Sequence, residues 1–344
     1  MIVGAGIAGL TLARSLRERG IASTILERSR GVGGRCATRR IDDWPVDHGL
    51  PFLHGRDPSF LSALDAVGGA TPIEGWPARR AGGGLPCQPE AFDGADRLLA
   101  FREGLTRFPK HLARGASIRL GANVTAIRAA KEGPRLVATL ESGESMESSH
   151  VVLTLPAPRA LRLLDELFDE SPAAAAVRPL VESIRTIPCL TVIAVYGDDA
   201  PAPEWDVLYP VSSTMVHAVV HDTTKRAPGA PRTLVVQGRP RFSREYSDAP
   251  APEWAKELLW EAGEFAGSWV ERPRLRQEHV WRHARVDAVT ELSAPIAIRL
   301  ENGAILGLCG DGFAPGGGAQ GAFQSGRSLA ARIEMLRETP ARAS

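Results

Sequence analysis

The residues with the clearest chemistry lie at the start of the chain. Gly4, Gly6 and Gly9 fall at the G-x-G-x-x-G spacing within Ile2-Val3-Gly4-Ala5-Gly6-Ile7-Ala8-Gly9-Leu10. Each glycine answers a steric demand: Gly4 allows the tight turn out of a strand, Gly6 lets the backbone approach a pyrophosphate, and Gly9 lets a helix pack closely on that strand. With Ala8 in the same turn, a phosphate would rest on the exposed N–H groups of the helix that opens there. Glu27 closes the next apolar run and is followed by Arg28. A carboxylate at that position can accept hydrogen bonds from both ribose hydroxyls and would repel a 2′-phosphate. Gly33-Gly34-Arg35 offers a second close backbone approach, with Arg35 placed to neutralise a pyrophosphate. Far along the chain, Asp311 in Cys309-Gly310-Asp311-Gly312-Phe313 can bind a sugar-alcohol hydroxyl, and the helix expected from Gly321 turns its positive end toward whatever precedes it. The backbone N–H groups of Gln320, Gly321 and Ala322 lie at that helix start. Grips at two distant parts of the chain suit a dinucleotide longer than NAD, so the expected cofactor is FAD. The N–H groups at the second grip would then meet the pyrimidine edge of the flavin.

These residues need elements to hold them. Leu10, Ala13 and Leu16 give the first helix an apolar stripe, and Ile21–Leu26 reads as the second strand. The first strand, Met1–Val3, is shorter than the usual five or six residues. The expectation is a natural start upstream or an unusually short strand. Helices are expected over Asp57–Val67, Phe101–Ala113, Arg159–Phe168, Pro252–Gly267 and Gly321–Leu336. Strands are expected over Ser117–Leu120, Asn123–Ala129, Leu136–Leu140, His150–Leu155, Cys189–Tyr196, Thr214–His221, Thr233–Gly238, His279–Val286, Pro295–Leu300 and Ala304–Leu308. Gly68–Gly94, rich in Gly, Pro and Ala, reads as irregular or short-strand structure in a second domain, and Glu170–Pro179 reads as a boundary. Asp222 with Lys225-Arg226 reads as a solvated turn. On its strand, Trp281 faces the same way as His283 and opposite to Arg282. Trp281 could stack on a planar substrate and His283 could donate to a carbonyl. The fold expectation is α/β: a Rossmann-type FAD-binding domain (1–55, 99–160 and 290–344) with an inserted sheet-rich α+β substrate domain (56–98 and 161–289). The flavin ring is expected to project into the cleft between them.

At 344 residues two domains are the natural expectation. A hydrophobic share of 44%, a charged share of 24% and a net charge of +1 suit a globular chain and give no reason to expect nucleic acid or an anionic membrane as partner. The only lysines are Lys110, Lys131, Lys225 and Lys256, which removes most candidates for Schiff-base chemistry. Cys36, Cys87, Cys189 and Cys309 are far apart and form no C-x-x-C. Neither a metal site nor a disulfide framework is expected, and reduced cytoplasmic thiols are. The N-terminal apolar run lacks the basic flank of a signal peptide, and no stretch is as long as a membrane span. Oligomeric state is not legible.

The chain resembles the FAD-dependent oxidoreductases of the amine-oxidase superfamily and, within them, renalase-like proteins. The resemblance rests on Ile2–Gly9, Glu27, Gly33–Arg35 with Thr38, Asp47-His48-Gly49, Asn123–Ile127, Val152–Pro156, Trp281-Arg282-His283 and Gly310–Phe313, in order along nearly the whole chain. It implies that Asp47-His48-Gly49 runs beside the flavin, that the main chain of Val124 contacts adenine, and that His48, Trp281 and His283 are neighbours of the flavin or substrate. The family commonly continues Ala-Gln-Tyr after that glycine. Here Leu50-Pro51-Phe52 removes a polar side chain and a phenol. By resemblance the substrate is a small planar donor such as a dihydronicotinamide isomer, with oxygen as acceptor and hydrogen peroxide as product. Rival readings are amine oxidation or C–C desaturation on the same scaffold, nucleotide binding without catalysis, and NAD in place of FAD. Amine oxidases of the superfamily often place a lysine near flavin N5, and Glu271–Leu300 contains none.

Overall fold

The computed structural model describes residues 1–83, 85–88 and 92–338. Two compact units emerge: Met1–Gly34, Pro109–Thr186 and Arg285–Ser344 form the first, and Arg35–Phe108 with Ile187–Ala284 the second. Residues 339–344 lie outside the described residues, as does part of the 68–94 stretch.

The first unit is built on a six-stranded sheet. Its order is Ser117–Leu120, Thr24–Glu27, Ile2–Val3, His150–Leu153, Ile305–Leu308, Ile296–Arg299. The first five run parallel and the last is an antiparallel edge. Strands buried on both faces read as continuous apolar runs, and here Ile2, Val3, Val151, Val152 and Leu153 are all core. The opening strand has only two residues. It holds its place because it pairs on both sides, with Ile2 in register with Ile25 and Val152. From it the chain passes first to Thr24–Glu27 on one side and later to His150–Leu153 on the other. The strand order therefore reverses at its carboxyl end, where open α/β sheets bind ligands. A three-stranded antiparallel meander (Val124–Ala129, Leu136–Leu140, Ser145–Ser148) completes the sheet structure of this unit.

Two helices bracket the glycine turn. Ile7–Glu18 buries Leu10, Ala13 and Leu16, as the stripe requires. Gly318–Glu338 packs so closely on it that a Cβ at Gly326 would stand 2.5 Å from the Ala8 carbonyl oxygen. That glycine carries no motif signal and is invisible without the packing partner.

The stretch read as a boundary is helical. Ser171 caps Pro172–Ser183 by accepting the Ala174 N–H at 3.1 Å, Pro172 takes the first turn, and the alanines continue the helix. Ala174, Val177 and Val181 then bury in the core with Leu167 and Phe168. The single helix expected over Arg159–Phe168 is two, Ala157–Leu163 and Asp165–Glu170. The helix expected over Phe101–Ala113 begins only at Arg107, because Phe101 ends the strand Arg97–Phe101. The unit limits also differ from the expected domain limits: 35–55 and 99–108 group with the second unit, and 161–186 and 285–289 with the first. Ala157–Leu163 and Asp165–Glu170 pack on the meander strand Val124–Ala129, and Pro172–Ser183 packs on those two helices, which ties all three to the first unit.

The second unit has a mixed seven-stranded sheet, in which Leu275–Val286 is one edge beside Thr186–Val195. Trp254, Leu258, Leu259 and Ala262 of helix Ala251–Ala266 cover its apolar face together with Phe242 and Val270. A hairpin, Thr38–Ile41 with Trp44–Asp47, and a three-stranded sheet of Leu53–Gly55, Arg97–Phe101 and Pro72–Glu74 complete it.

Candidate functional site

In the first unit the three fingerprint glycines separate by what surrounds them. A Cβ at Gly4 would lie 2.7 Å from Thr154 Oγ1, at a φ of +109°. A Cβ at Gly9 would lie 2.1 Å from the Gly4 carbonyl oxygen. The fold itself demands both. Gly6 is different: it caps helix Ile7–Glu18 in extended backbone, and a Cβ there meets nothing within 4 Å. The space beside Gly6 is open, at the positive end of a helix. The second glycine pair folds onto the first, with Gly33 N–H donating to Ala5 O at 2.8 Å and the position of a Gly34 Cβ 3.5 Å from Gly6 Cα. Thr154 fixes the turn by donating from Oγ1 to the carbonyls of Val3 and Gly4, each at 3.0 Å. Sequence reading passed over this role of the threonine because only the sheet register brings it here.

Glu27 accepts the Ala5 N–H at 2.7 Å through one oxygen and the Ser29 N–H at 2.8 Å through the other. The carboxylate is thereby held still, with lone pairs remaining for a ribose. Arg28 is exposed beside it. Half-buried Arg159 was not foreseen; burial first, then Arg28 and Arg162, lower its pKa, while Glu27 pulls the other way. Val124 puts its side chain into the core and its backbone in register with Leu140. At the other grip, Asp311 is buried in the short turn Asp311–Phe313, directly after strand Ile305–Leu308. Ser325 Oγ clamps that turn by accepting Gly310 N–H at 3.0 Å and lying 2.8 Å from Gly310 O. The terminal helix starts at Gly318, three residues before the expected Gly321. The Gly321 N–H already donates to Gly317 O at 2.7 Å, and Ala322 is buried. The donor end of the helix is therefore at Gly318 and Ala319, with Gln320 next in the same turn. Glu291 also reaches this turn and accepts the Gly316 N–H at 2.8 Å.

In the second unit His48 follows strand Trp44–Asp47 and is buried against the edge strand Leu275–Val286. Its ring centroid lies 5.3 Å from that of Trp281 and 5.2 Å from that of His279, and the latter two are 4.2 Å apart. Trp281 Nε1 donates to His48 O at 3.0 Å. Alternation along the strand puts His279, Trp281 and His283 on one face and leaves Arg282 exposed on the other. His279 was missed, although the same alternation would have found it. At Gly49 the chain itself makes the close approach: a Cβ there would be 2.0 Å from Arg35 O. Arg35 Nη1 reaches Ala284 O at 3.5 Å.

Burial pushes the His48 pKa down to about 4, helped by the charge of Arg39 and by His279. Burial and Arg39 also lower that of His279. Both imidazoles are thus neutral at pH 7. In the unfolded chain a histidine takes its proton near pH 6.5. The unfolded state therefore binds more protons between about pH 6.5 and 4, and stability must fall as pH falls through that window. His48→Gln is expected to flatten this loss, which denaturant melts at pH 7 and pH 5 would read as a difference of about 2 kcal/mol.

The turn read as solvated is instead a buried polar cluster. Lys225 and Asp47 are both 0% exposed, 2.9 Å apart. Asp222 and Arg226 complete the cluster, with Arg226 2.7 Å from Asp47 and 2.8 Å from Asp222. Two acids and two bases cancel, which lets the group leave water. Among the described residues no three His, Cys, Asp or Glu gather as a metal site.

Comparison with known proteins now decides the family. Residues 2–67 match the NAD(P)-binding Rossmann-like domain, and residues 69–334 match the flavin containing amine oxidoreductase model. The chain belongs to the flavin-containing amine oxidoreductases. It is similar to the Arabidopsis thaliana protein named "Probable polyamine oxidase 4", at 42% identity over 55 residues, 16% of this chain and 11% of that protein. It is also similar to an L-amino-acid oxidase of Crotalus adamanteus, at 41% identity over 68 residues, 19% of this chain and 13% of that protein. These matches cover only a small part of either relative. A triple mutant of putrescine oxidase shares the fold, with a TM-score of 0.69 and 15% identity over 97% of this chain and 98% of that one.

A flavin dinucleotide fits the residues of this family member. The open volume at Gly6 would take a pyrophosphate that a side chain would exclude, and Glu27 is held ready at the adjacent strand end. No helix among the described residues is long and apolar enough to cross a membrane.

Proposed function

We propose that this chain is an FAD-dependent oxidoreductase of the renalase-like kind, accepting a hydride from a small planar donor such as a dihydronicotinamide isomer. Bound FAD would supply the redox chemistry, taking up the hydride and returning its two electrons to oxygen as hydrogen peroxide. Gly4, Gly6, Ala8 and Gly9 would seat the pyrophosphate, with Gly34 and Arg35 beside it. Glu27 would hold the ribose, Arg28 and the backbone at Val124 the adenosine end. Asp311 would hold the ribityl chain, and the donor end of the helix at Gly318, Ala319 and Gln320 the pyrimidine edge. His48, Trp281 and His283 would face the flavin or donor.

One observation supports this donor class over amines: the imidazole–indole cluster is neutral and overlooked by a cation. Arg39 lowers the pKa of both His48 and His279, so a protonated amine would meet repulsion there. The acid next in sequence, Asp47, opposes Arg39 at His48 but is outweighed by it, and it is already engaged by Lys225 and Arg226. Lys225 is equally unable to act at a flavin, being wholly buried.

The test begins with the visible spectrum of the purified protein, expected to be that of bound oxidised flavin. Anaerobic mixing with dihydronicotinamide isomers should bleach it rapidly, and mixing with diamines should not. Bleaching by diamines alone would establish amine oxidation instead. A yellow protein reduced by neither class would point to binding without turnover.

A further inference from the structure

We propose that Glu291 sets the reduction potential of the bound flavin, as a residue that acts through charge at the second grip and not as a catalytic one; this rests on the flavin reading above. Glu291 follows the short turn Ala288–Thr290 and is tied to the Asp311 turn by its neighbour, whose Leu292 N–H donates to Gly312 O at 2.9 Å. One carboxylate oxygen accepts the Gly316 N–H at 2.8 Å. The other lies where Gly317 would carry a Cβ, 2.3 Å from that position, and Gly317 has a φ of +48°. Gly317 O in turn receives the Gly321 N–H. The carboxylate is therefore seated at the positive end of the 21-residue helix Gly318–Glu338, over a turn that only glycine lets it reach.

A neutral Ser, Thr or Asn would cap such a turn without charge. Here a half-buried carboxylate is placed near a second acid instead. Burial raises its pKa and Asp311 adds to the rise, with the Gly316 N–H opposing both. The helix end carries roughly half a positive charge, which favours the negative charge that a flavin gains at N1 and C2=O on reduction. The Glu291 carboxylate offsets that half charge. Its ionised form holds the potential lower than the helix alone would.

The test is a spectroelectrochemical titration of FAD-loaded wild type, Glu291→Gln and Gly317→Ala. Glu291→Gln keeps the shape and one acceptor but removes the charge. Its midpoint is expected to move positive, as the ratio of affinities for reduced over oxidised FAD rises about tenfold, which a two-electron couple reads as about 30 mV. Gly317→Ala puts a methyl group where the carboxylate oxygen sits, so it should shift the midpoint the same way. Adding Glu291→Gln to it should carry the midpoint the rest of the way to that of Glu291→Gln alone, because the first change only displaces the charge and the second removes it. Flavin-loaded, folded variants with the wild-type midpoint would reduce Glu291 to a helix cap and overturn this inference alone. So would a Glu291→Gln that weakens both redox forms of FAD equally. A wild-type protein that takes up no flavin overturns the flavin reading together with it.

Discussion

Lys225→Met is expected to destabilise the second unit by about 3–5 kcal/mol, more than any single change at the candidate site, because it strands a buried charge. Lys225 Nζ lies 2.9 Å from Asp47 and 2.8 Å from Asp222, donates to Pro51 O at 2.8 Å, and stands 4.7 Å over the Trp76 ring. Arg226 spans the same two acids and also donates to the carbonyls of Phe101 and Arg102 at 3.2 and 3.1 Å. The cluster thus joins the segment around Asp47, the end of strand Arg97–Phe101 and the turn Asp222–Lys225. Methionine fills most of the volume of lysine, so the loss would come from charge more than from a cavity. A loss of about 3 kcal/mol would lower the transition of a unit this size by roughly 6–12 °C in calorimetry. Asp222→Asn in the same chain leaves one acid against one base and should recover part of the loss. The two changes should therefore be coupled by more than about 1 kcal/mol in a double-mutant cycle, and simple additivity would count against the charge argument. Acid should act on the same cluster. Burial alone would raise the Asp47 carboxyl, but Lys225, Arg226 and the Thr38 hydroxyl outweigh it and hold it below the ordinary carboxylate range. Its contribution is then complete above about pH 3.9, where the unfolded carboxyl titrates, and is lost as pH falls further.

How much of this was legible follows from the range of the interactions involved. The glycine turn, its helix and Glu27 are local, with every demand set by residues within one β-α-β unit, and the sequence carries them almost completely. The parallel strands were legible because burial on both faces leaves an apolar run. Lys225 and Arg226 misled because polarity at a strand end normally means solvent. Asp222 supplies one of the charges that let them be buried, and the hairpin residue Asp47, far away in sequence, supplies the other. The helix Pro172–Ser183 misled for a local reason: proline and a run of alanines suit a linker as well as a helix start, and only the Ser171 cap and the buried Val177 and Val181 decide. Gly326 and Glu291 had no signal of their own, since each matters through one neighbour brought by tertiary packing, whereas Thr154 lies in the segment Val152–Pro156 that carries the resemblance and only its role at the glycine turn was hidden. His279 did have one, the strand alternation with Trp281.

The glycine turn supports the second large expectation, a separation of binding from folding within one motif. Gly6→Val should fold, because its Cβ enters open space at a φ of −77°, which any L-residue adopts. The expected cost to the flavin-free protein is about 1 kcal/mol, from a poorer helix cap. The same side chain would occupy the volume where a pyrophosphate must approach the backbone. FAD affinity should fall by at least ~100-fold, a loss of about 3 kcal/mol in binding, read by equilibrium dialysis or flavin fluorescence quenching. Gly9→Ala should behave in the opposite way. Its methyl group would lie 2.1 Å from Gly4 O and 2.8 Å from Thr154 Oγ1, so helix Ile7–Glu18 could not keep its seat on the sheet. Flavin-free Gly9→Ala should therefore melt well below wild type, by an amount typical of overpacking, about 1–3 kcal/mol. A Gly6→Val protein that melts like wild type and still fills with FAD would show that the dinucleotide does not lie in this turn. The assignment of Glu27 and Arg28 to its adenosine half would then fall as well, since they are placed only by the turn beside them.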